Sequence, residues 1–194
     1  MNTLERTAGW SAYISAIATI LTLVTGILFF TIGQPFGTIE DVSSVLQLVF
    51  MISLAIGLYQ LLPTSTKSIN LFAAVVGIAG MLVSMIGQGL LVLGRIDYQT
   101  STKFFPAGIA IGIWLVVVCW LARTNGFLSN GLAWAGFIAG AGYFFTVAGI
   151  LWGGQDSPIF YLGGLGAGIG YPVWAIGLGR LLLAGTAKSK RILA

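Results

Sequence analysis

Six long apolar runs divide this chain, and each is long enough to cross a lipid bilayer as a helix. A hydrocarbon core needs roughly 20 helical residues, and helices satisfy their own backbone groups there. Only 7% of the 194 residues are charged, against about 25% in a soluble domain, so the chain cannot cover itself for water. The sequence predicts one all-α transmembrane domain over residues 1–194, a six-helix bundle with spans near 8–31, 41–62, 69–94, 104–122, 130–153 and 162–184.

The basic residues predict the orientation of this bundle. Lys and Arg are retained on the cytoplasmic side of a membrane, and only Arg95 and Lys103 fall at the predicted outer end. Both termini are therefore expected in the cytoplasm, and the net charge of +4 reflects topology instead of nucleic-acid binding. The residues predicted at the inner end are Arg6, Lys67, Arg123, Arg180, Lys188, Lys190 and Arg191.

A glycine-rich stretch, YLGGLGAGIGYPVW at residues 161–174, opens the last run. A dinucleotide-binding loop needs G-x-G-x-x-G between a strand and a helix, with an acidic residue about 20 positions later. Here glycines recur every second residue from Gly164 to Gly170, and no acidic residue follows them. The stretch therefore predicts a membrane helix with two flat faces and no nucleotide site.

Small residues on such faces let transmembrane helices approach each other closely. We expect the last helix to lie between two neighbours, and the last three helices to pack tightly. A proline inside a helix removes a backbone donor, so we expect a kink in the last helix. The predicted packing residues are Gly108 and Gly112 in the fourth run, Gly136 and Gly140 in the fifth, and Gly163, Gly166, Gly170 and Pro172 in the sixth.

The segment Thr38-Ile-Glu40-Asp41 precedes the second predicted span. A hydroxyl followed by carboxylates at this spacing is typical of a capping box, in which side chains satisfy the first free amides of a helix. We interpret Glu40 and Asp41 as belonging to this cap. The alternative is that the two carboxylates attract a cation.

The sequence indicates no catalytic, cofactor or metal site. It contains no histidine, the usual acid-base residue near neutral pH and a common metal ligand. No Asp, Glu or Lys lies deep within a predicted span, so the usual carriers of a proton relay are missing. An enzymatic interpretation would depend on the loop residues Asp97, Tyr98, Gln155 and Asp156, whose spacing matches no catalytic pattern.

Uncharged polar residues recur at one depth near the outer ends of four predicted helices. Gln47, Gln88, Thr25 and Thr146 each lie about six residues from a helix end, roughly 9 Å down the axis. Thr22 belongs to the same hydroxyl-rich face as Thr25 on the first helix. If these faces converge, they form a neutral pocket that opens outward. The alternative is that they bond to one another or to helix carbonyls, the commoner use of small polar residues in membranes.

The segment from Gly170 to Arg180, GYPVWAIGLGR, together with the six short-looped helices, resembles uncharacterised six-helix bacterial membrane proteins. The resemblance implies a multi-pass protein of the bacterial cytoplasmic membrane and transfers no functional residue. We expect a non-enzymatic role in helix packing or assembly first, with the lipid bilayer and a membrane-protein partner or second copy as its contacts. A channel, carrier or binding protein for a small neutral polar solute or lipid is the alternative.

Overall fold

The computed structural model describes residues 2–63, 66–154 and 156–185, and every regular element among them is helical. Lys188, Lys190, Arg191 and Gln155 lie outside these residues. Six helical segments are long and apolar enough to span a membrane, which indicates a multi-pass membrane protein. The helices are α1 (Thr3–Ile32), α2 (Phe36–Leu61), α3 (Lys67–Val92), α4 (Tyr98–Ser101), α5 (Gly108–Thr124), α6 (Asn130–Gly153) and α7 (Pro158–Leu183), with a 3₁₀ helix (Thr102–Ala107) between α4 and α5.

The six long helices form a ring in chain order. Each packs against its neighbours along the chain, and α1 packs against α7 to close the ring. Gly9 near the start of α1 lies against Leu183 at the end of α7, so both described ends of the chain share one end of the bundle. We call this the terminal end, and we call the end that carries the α1–α2, α3–α5 and α6–α7 connections the distal end.

Large side chains fill the middle of the ring. The rings of Trp114 and Trp174 meet edge to face, with centroids 6.0 Å apart at 89°, a favoured aromatic geometry. Tyr171 packs against Trp174, and its hydroxyl donates a 2.8 Å hydrogen bond to Ser15 Oγ. Each of these four side chains is completely buried, so the centre of the bundle is closed at this level.

Five of the six long helices begin at residues other than those predicted, and the starts of α1 and α2 differ most. Helix α1 begins at Thr3 because Asn2 and Glu5 form a capping box there. Helix α2 begins at Phe36, so the predicted cap at Thr38 is wrong: Thr38 lies inside the first turn, and its amide donates to Gln34 Oε1 at 3.4 Å. The carboxylates predicted for that cap therefore lie in the second turn of α2.

The fourth predicted span is also built differently. Residues 102–107 form a 3₁₀ helix that contains Pro106, and the α-helix starts only at Gly108. Pro106 has no amide hydrogen and its ring crowds the preceding turn, which explains why α5 begins after it. The fifth predicted span, 130–153, matches α6 at both ends.

Glycines line the interface between α6 and α7. A Cβ on Gly163 would overlap the backbone nitrogen of Thr146, and one on Gly170 would come within 2.9 Å of a backbone nitrogen of α6. Gly166 lies opposite Gly142, with 3.2 Å between an added Cβ and the facing Cα. The two backbones are therefore in direct contact, with no side chain between them.

The predicted small-residue pairs of α5 and α6 meet each other. A Cβ on Gly112 would come within 2.8 Å of the Gly140 carbonyl oxygen, and the converse distance is 3.0 Å. Gly108 lies against a methyl group of Val147, and Gly136 lies against the sulfur of the chain's one cysteine. Helix α6 thus packs between α5 and α7 with glycines in both interfaces.

The other face of α7 packs against α1. Gly168 lies against the Leu23 side chain, and a Cβ on Gly179 would come within 3.1 Å of the Gly9 carbonyl oxygen. The helix is continuous through Pro172, which is buried. Helix α7 therefore lies between α6 and α1, and its two glycine faces contact different neighbours.

Candidate functional site

A cavity of about 190 Å³ lies inside the ring, in the distal half of the bundle. Side chains from α2, α3, α5 and α6 form its wall, and the 3₁₀ helix lies over it. Its polar lining residues are Ser44, Gln47, Ser84, Gln88, Ser101, Tyr143 and Thr146, and its other lining residues are Leu48, Phe104, Phe105, Gly108, Ile111 and Val147.

Three of the five residues predicted for a pocket line this cavity: Gln47, Gln88 and Thr146. Thr22 and Thr25 do not line it. The Thr22 hydroxyl lies 3.4 Å from Ser44 Oγ, which does, whereas Thr25 donates to the Leu21 carbonyl oxygen of its own helix at 2.7 Å. Thr25 was predicted to line the pocket and does not, because its hydroxyl is hydrogen-bonded within α1.

The predicted common depth is corrected as well. Since α2 begins at Phe36, Gln47 lies eleven residues into the helix, roughly 16 Å along its axis. Gln88 lies only four residues before the end of α3 at Val92. The two side chains nevertheless line one cavity.

Gln47 and Tyr143 form the central polar contact of the cavity. Gln47 is only 8% exposed, and its Nε2 donates to the Tyr143 hydroxyl oxygen at 3.3 Å and points to Met51 Sδ at 3.5 Å. The Tyr143 hydroxyl accepts in this contact, and its own hydrogen is not bonded to any described residue. It can therefore donate to a bound molecule.

The side-chain oxygen of Gln88 is a hydrogen-bond acceptor that lacks a donor. Its Oε1 is buried and has no hydrogen-bond partner among the described residues. A buried polar atom that is left unpaired costs about 1–3 kcal/mol, so such atoms are rare in membrane interiors. A hydroxyl or amide hydrogen of a bound molecule would satisfy it.

Two aromatic side chains cover the cavity at its distal end, and we call them the roof. Phe104 and Phe105 come from the 3₁₀ helix, and Phe104 lies so close to Gly87 of α3 that a Cβ there would come within 2.6 Å of its ring. Because Gly87 has no side chain, the ring can lie directly against α3 next to Gln88. The roof is thus positioned by a contact between an aromatic side chain and a helix backbone.

A short capped helix precedes the roof. Asp97 accepts a 2.7 Å hydrogen bond from the Thr100 amide and caps α4, and Ser101 Oγ donates to the Tyr98 carbonyl oxygen at 2.6 Å. The Thr100 side chain and amide hold the pKa of Asp97 below its ordinary value. Asp97 therefore has a structural role in holding the segment that carries the roof.

The floor of the cavity is closed. Ile111 lines the cavity and is 1% exposed. Met51, one turn beyond Gln47, and Trp114, about one turn beyond Ile111, are completely buried. These three side chains are therefore tightly packed between the cavity and the terminal end.

Four hydroxyl groups of α1 lie inside the bundle and serve helix packing. Ser11, Ser15, Thr19 and Thr25 are buried. Ser11 Oγ lies 2.9 Å from Ser53 Oγ of α2, and Thr19 donates to the Ser15 carbonyl oxygen. These α1 hydroxyl groups are therefore used for hydrogen bonds between and within helices.

Tyr143 and the roof phenylalanines were not predicted as site residues. Tyr and Trp favour the headgroup level of a membrane, and Trp134 and Trp152, near the two ends of α6, are 56% and 83% exposed. Tyr143 lies in the interior of the fifth apolar run, so its hydroxyl needs a partner inside the protein. An aromatic residue with a polar group far from both boundaries was the signal available in the sequence.

The acidic residues and the cysteine form no metal centre in the described part of the chain. Among the described residues, no group of three or more His, Cys, Asp or Glu side chains is arranged to hold a metal ion. Compared with protein-family models, curated proteins and solved structures, the chain matches none. The chemistry of the cavity is therefore the basis for a functional interpretation.

Proposed function

We propose that this chain is a non-enzymatic protein of the bacterial cytoplasmic membrane that binds a small uncharged polar molecule in the distal cavity. Both termini face the cytoplasm in this proposal, so the distal end faces outward. The observation that carries it is the convergence of Gln47, Gln88 and Tyr143, from three helices, on one cavity. Groups that served only helix packing would bond to backbone in a filled interior.

The size and lining of the cavity indicate the ligand class. The volume of about 190 Å³ is comparable to an apolar cavity of about 150 Å³ that holds benzene. Tyr143 offers a donor and Gln88 an acceptor, while Leu48, Ile111 and Val147 offer apolar surface. A compact molecule of about six to eight heavy atoms with a hydroxyl or amide group fits this combination.

A binding protein fits the geometry better than an open channel. The floor at Ile111 and Trp114 is completely packed, so solute can leave only towards the distal end unless the helices move. A role in assembly, expected first from sequence, has less support. Its predicted surfaces at Gly112, Gly163 and Gly170 are buried against other helices of the same chain and are not free for a partner.

Ligand-dependent thermal stability of the purified protein in mild detergent tests this proposal. Cyclohexanol should raise the melting temperature, and methylcyclohexane, of similar shape but without a hydroxyl, should not. Ligand at 100 times its dissociation constant stabilises by about 2.7 kcal/mol. Tyr143→Phe and Gln47→Leu should abolish the difference between the two compounds.

Tyr13→Phe is the matched control, because it removes a hydroxyl near the terminal end and away from the cavity lining. Mass analysis of the natively purified protein should also find a small polar molecule bound. Equal effects of cyclohexanol on the wild type and on both cavity variants would overturn the proposal.

A further inference from the structure

A second cavity of about 450 Å³ lies nearer to the distal end. It shares Gln88 and Phe105 with the inner cavity, so these two side chains separate the two spaces. Aromatic rings make up much of its wall. They come from Phe29, Phe30, Tyr98, Phe105 and Phe160.

Two carboxylates, Glu40 and Asp41, also line this outer cavity. They lie in the second turn of α2, and its first turn contains no acidic residue. A helix dipole acts mainly within the first turn, so neither carboxylate serves as the cap predicted from the sequence. Their position in the outer cavity therefore needs a different explanation.

The two carboxylates have no cationic partner in the described part of the chain. Glu40 is hydrogen-bonded to Asp41 and to the Ser44 hydroxyl, and no lysine or arginine contributes to the electrostatics of either carboxyl group. Arg95 and Lys103, the basic residues predicted at this end, form no ion pair with them. A partly buried carboxylate without a counter-charge is unfavourable, and a bound cation would relieve that cost.

The walls of the outer cavity favour one kind of cation. Aromatic rings are not ligands for calcium, which takes six to eight oxygen atoms, and this cavity has five aromatic rings beside its two carboxylates. Aromatic faces attract alkylammonium groups through cation–π interactions. The unpartnered Gln88 Oε1, buried between the two cavities, adds an acceptor for a polar substituent of the same molecule.

We propose that the outer cavity is a binding site for an organic ammonium ion, held by Glu40 and Asp41 and by the surrounding aromatic rings. This site is distinct from the neutral inner cavity and does not depend on its function. The ammonium group lies near α2, and any uncharged part of the molecule extends towards Gln88.

Equilibrium binding to the purified full-length protein in detergent tests this site, with choline as the probe. Its uncharged carbon analogue, 3,3-dimethylbutan-1-ol, has nearly the same shape and serves as the ligand control. Choline should bind at least about tenfold more tightly than the analogue, because loss of a partly desolvated charge interaction costs that much or more. Calcium at millimolar concentration should not displace it.

The variants Glu40→Gln and Asp41→Asn keep the size of each side chain and remove its charge. Each should weaken choline binding at least about tenfold, while Asp156→Asn, which neutralises an acidic residue outside the cavity lining, should leave it within about twofold. Melting temperatures and elution profiles of all three variants verify that they fold.

Equal binding of choline and its uncharged analogue, full binding by folded Glu40→Gln and Asp41→Asn proteins, or displacement of choline by calcium would each overturn this proposal. Cyclohexanol stabilisation through the inner cavity should persist in the Glu40→Gln protein. The outer site and the inner site can therefore fail separately.

Discussion

The Tyr143 hydroxyl of α6 accepts a hydrogen bond from Gln47 Nε2 of α2, across the ring and 96 positions along the chain. These helices are not neighbours in the ring, since α2 packs between α1 and α3, and α6 packs between α5 and α7. The contact therefore spans the interior and forms part of the cavity wall. It is a hydrogen bond between polar side chains of two different helices.

Breaking this contact should have a small effect on stability. Interhelical hydrogen bonds in a membrane protein contribute about 0.6 kcal/mol on average, so a double-mutant cycle of Gln47→Leu and Tyr143→Phe should give a coupling energy of about that size. Unfolding in mixed detergent micelles measures it. A coupling energy above about 2 kcal/mol would mean that the contact serves mainly the fold.

The Tyr171–Ser15 hydrogen bond offers a second test of the core. Its 2.8 Å length and complete burial predict that Tyr171→Phe destabilises the protein by about 0.5–1.5 kcal/mol. Ser15 also donates to the Ala12 carbonyl oxygen, so its hydroxyl remains paired in this variant. The same micelle unfolding assay applies, and an unchanged unfolding free energy would contradict the expectation.

Gly163→Ala should force α6 and α7 apart. The new Cβ would overlap the Thr146 backbone, and overpacking of this kind costs about 1–3 kcal/mol. A Cβ added at the adjacent Gly164 would meet nothing within 4 Å, so Gly164→Ala is the matched control. We expect that control to be neutral or stabilising by up to about 1 kcal/mol through helix propensity, and similar losses in both variants would show that the close contact is unimportant.

Gly87→Ala should displace the roof of the inner cavity. A Cβ at this position would collide with the Phe104 ring, whereas one at Gly89 would contact nothing within 4 Å. The probe is a cysteine placed in the inner cavity by Ser84→Cys, in a protein whose own cysteine is removed by Cys119→Ala. This cysteine should react faster with a small water-soluble thiol reagent when Gly87→Ala is also present. Gly89→Ala should not change the rate, and equal rates in all three proteins would indicate that Phe104 does not restrict entry.

Labelling in intact bacterial cells tests the predicted orientation. Gln99 at the distal end and Thr124 at the terminal end are both exposed, and Cys119 is buried. With Cys119 replaced by alanine, an impermeant maleimide should label Gln99→Cys in whole cells and should label Thr124→Cys only after lysis. The reverse pattern would place the cavities on the cytoplasmic side.

Much of the helical architecture could be predicted because each span is a local property of the chain. Residues 130–153 match α6 at both ends, since Ser129 caps the start and the apolar run ends at Gly153. The start of α2 could not be predicted by the same reasoning, because its N-cap residue, Pro35, has no capping side chain, and the Thr38 amide donates to Gln34, outside the motif that resembles a cap. Glu40 was therefore predicted at a helix terminus but lies in the wall of the outer cavity.

Membership of the site was predicted for Gln47, Gln88 and Thr146 and missed for Tyr143 and Phe104. A glutamine within an apolar run needs a polar environment, so its type alone indicates an inward position. Phenylalanine is compatible with lipid, core and cavity alike, so its type does not discriminate, and the hydroxyl of Tyr143 indicated only that a polar partner lies inside the protein. Thr25 could be satisfied by its own helix, which no sequence pattern distinguishes from a pocket hydroxyl.

Apolar runs of membrane length determined by themselves that this chain forms six helices long and apolar enough to cross a membrane, because a backbone in hydrocarbon must be hydrogen-bonded within its own segment. Whether their polar side chains meet was decided only by tertiary structure. Contacts such as Gly112 with Gly140 set how closely the helices approach, and closure of the ring by α1 and α7 brings distant faces together. A cavity is the volume left between such faces, so it has no counterpart in any single segment.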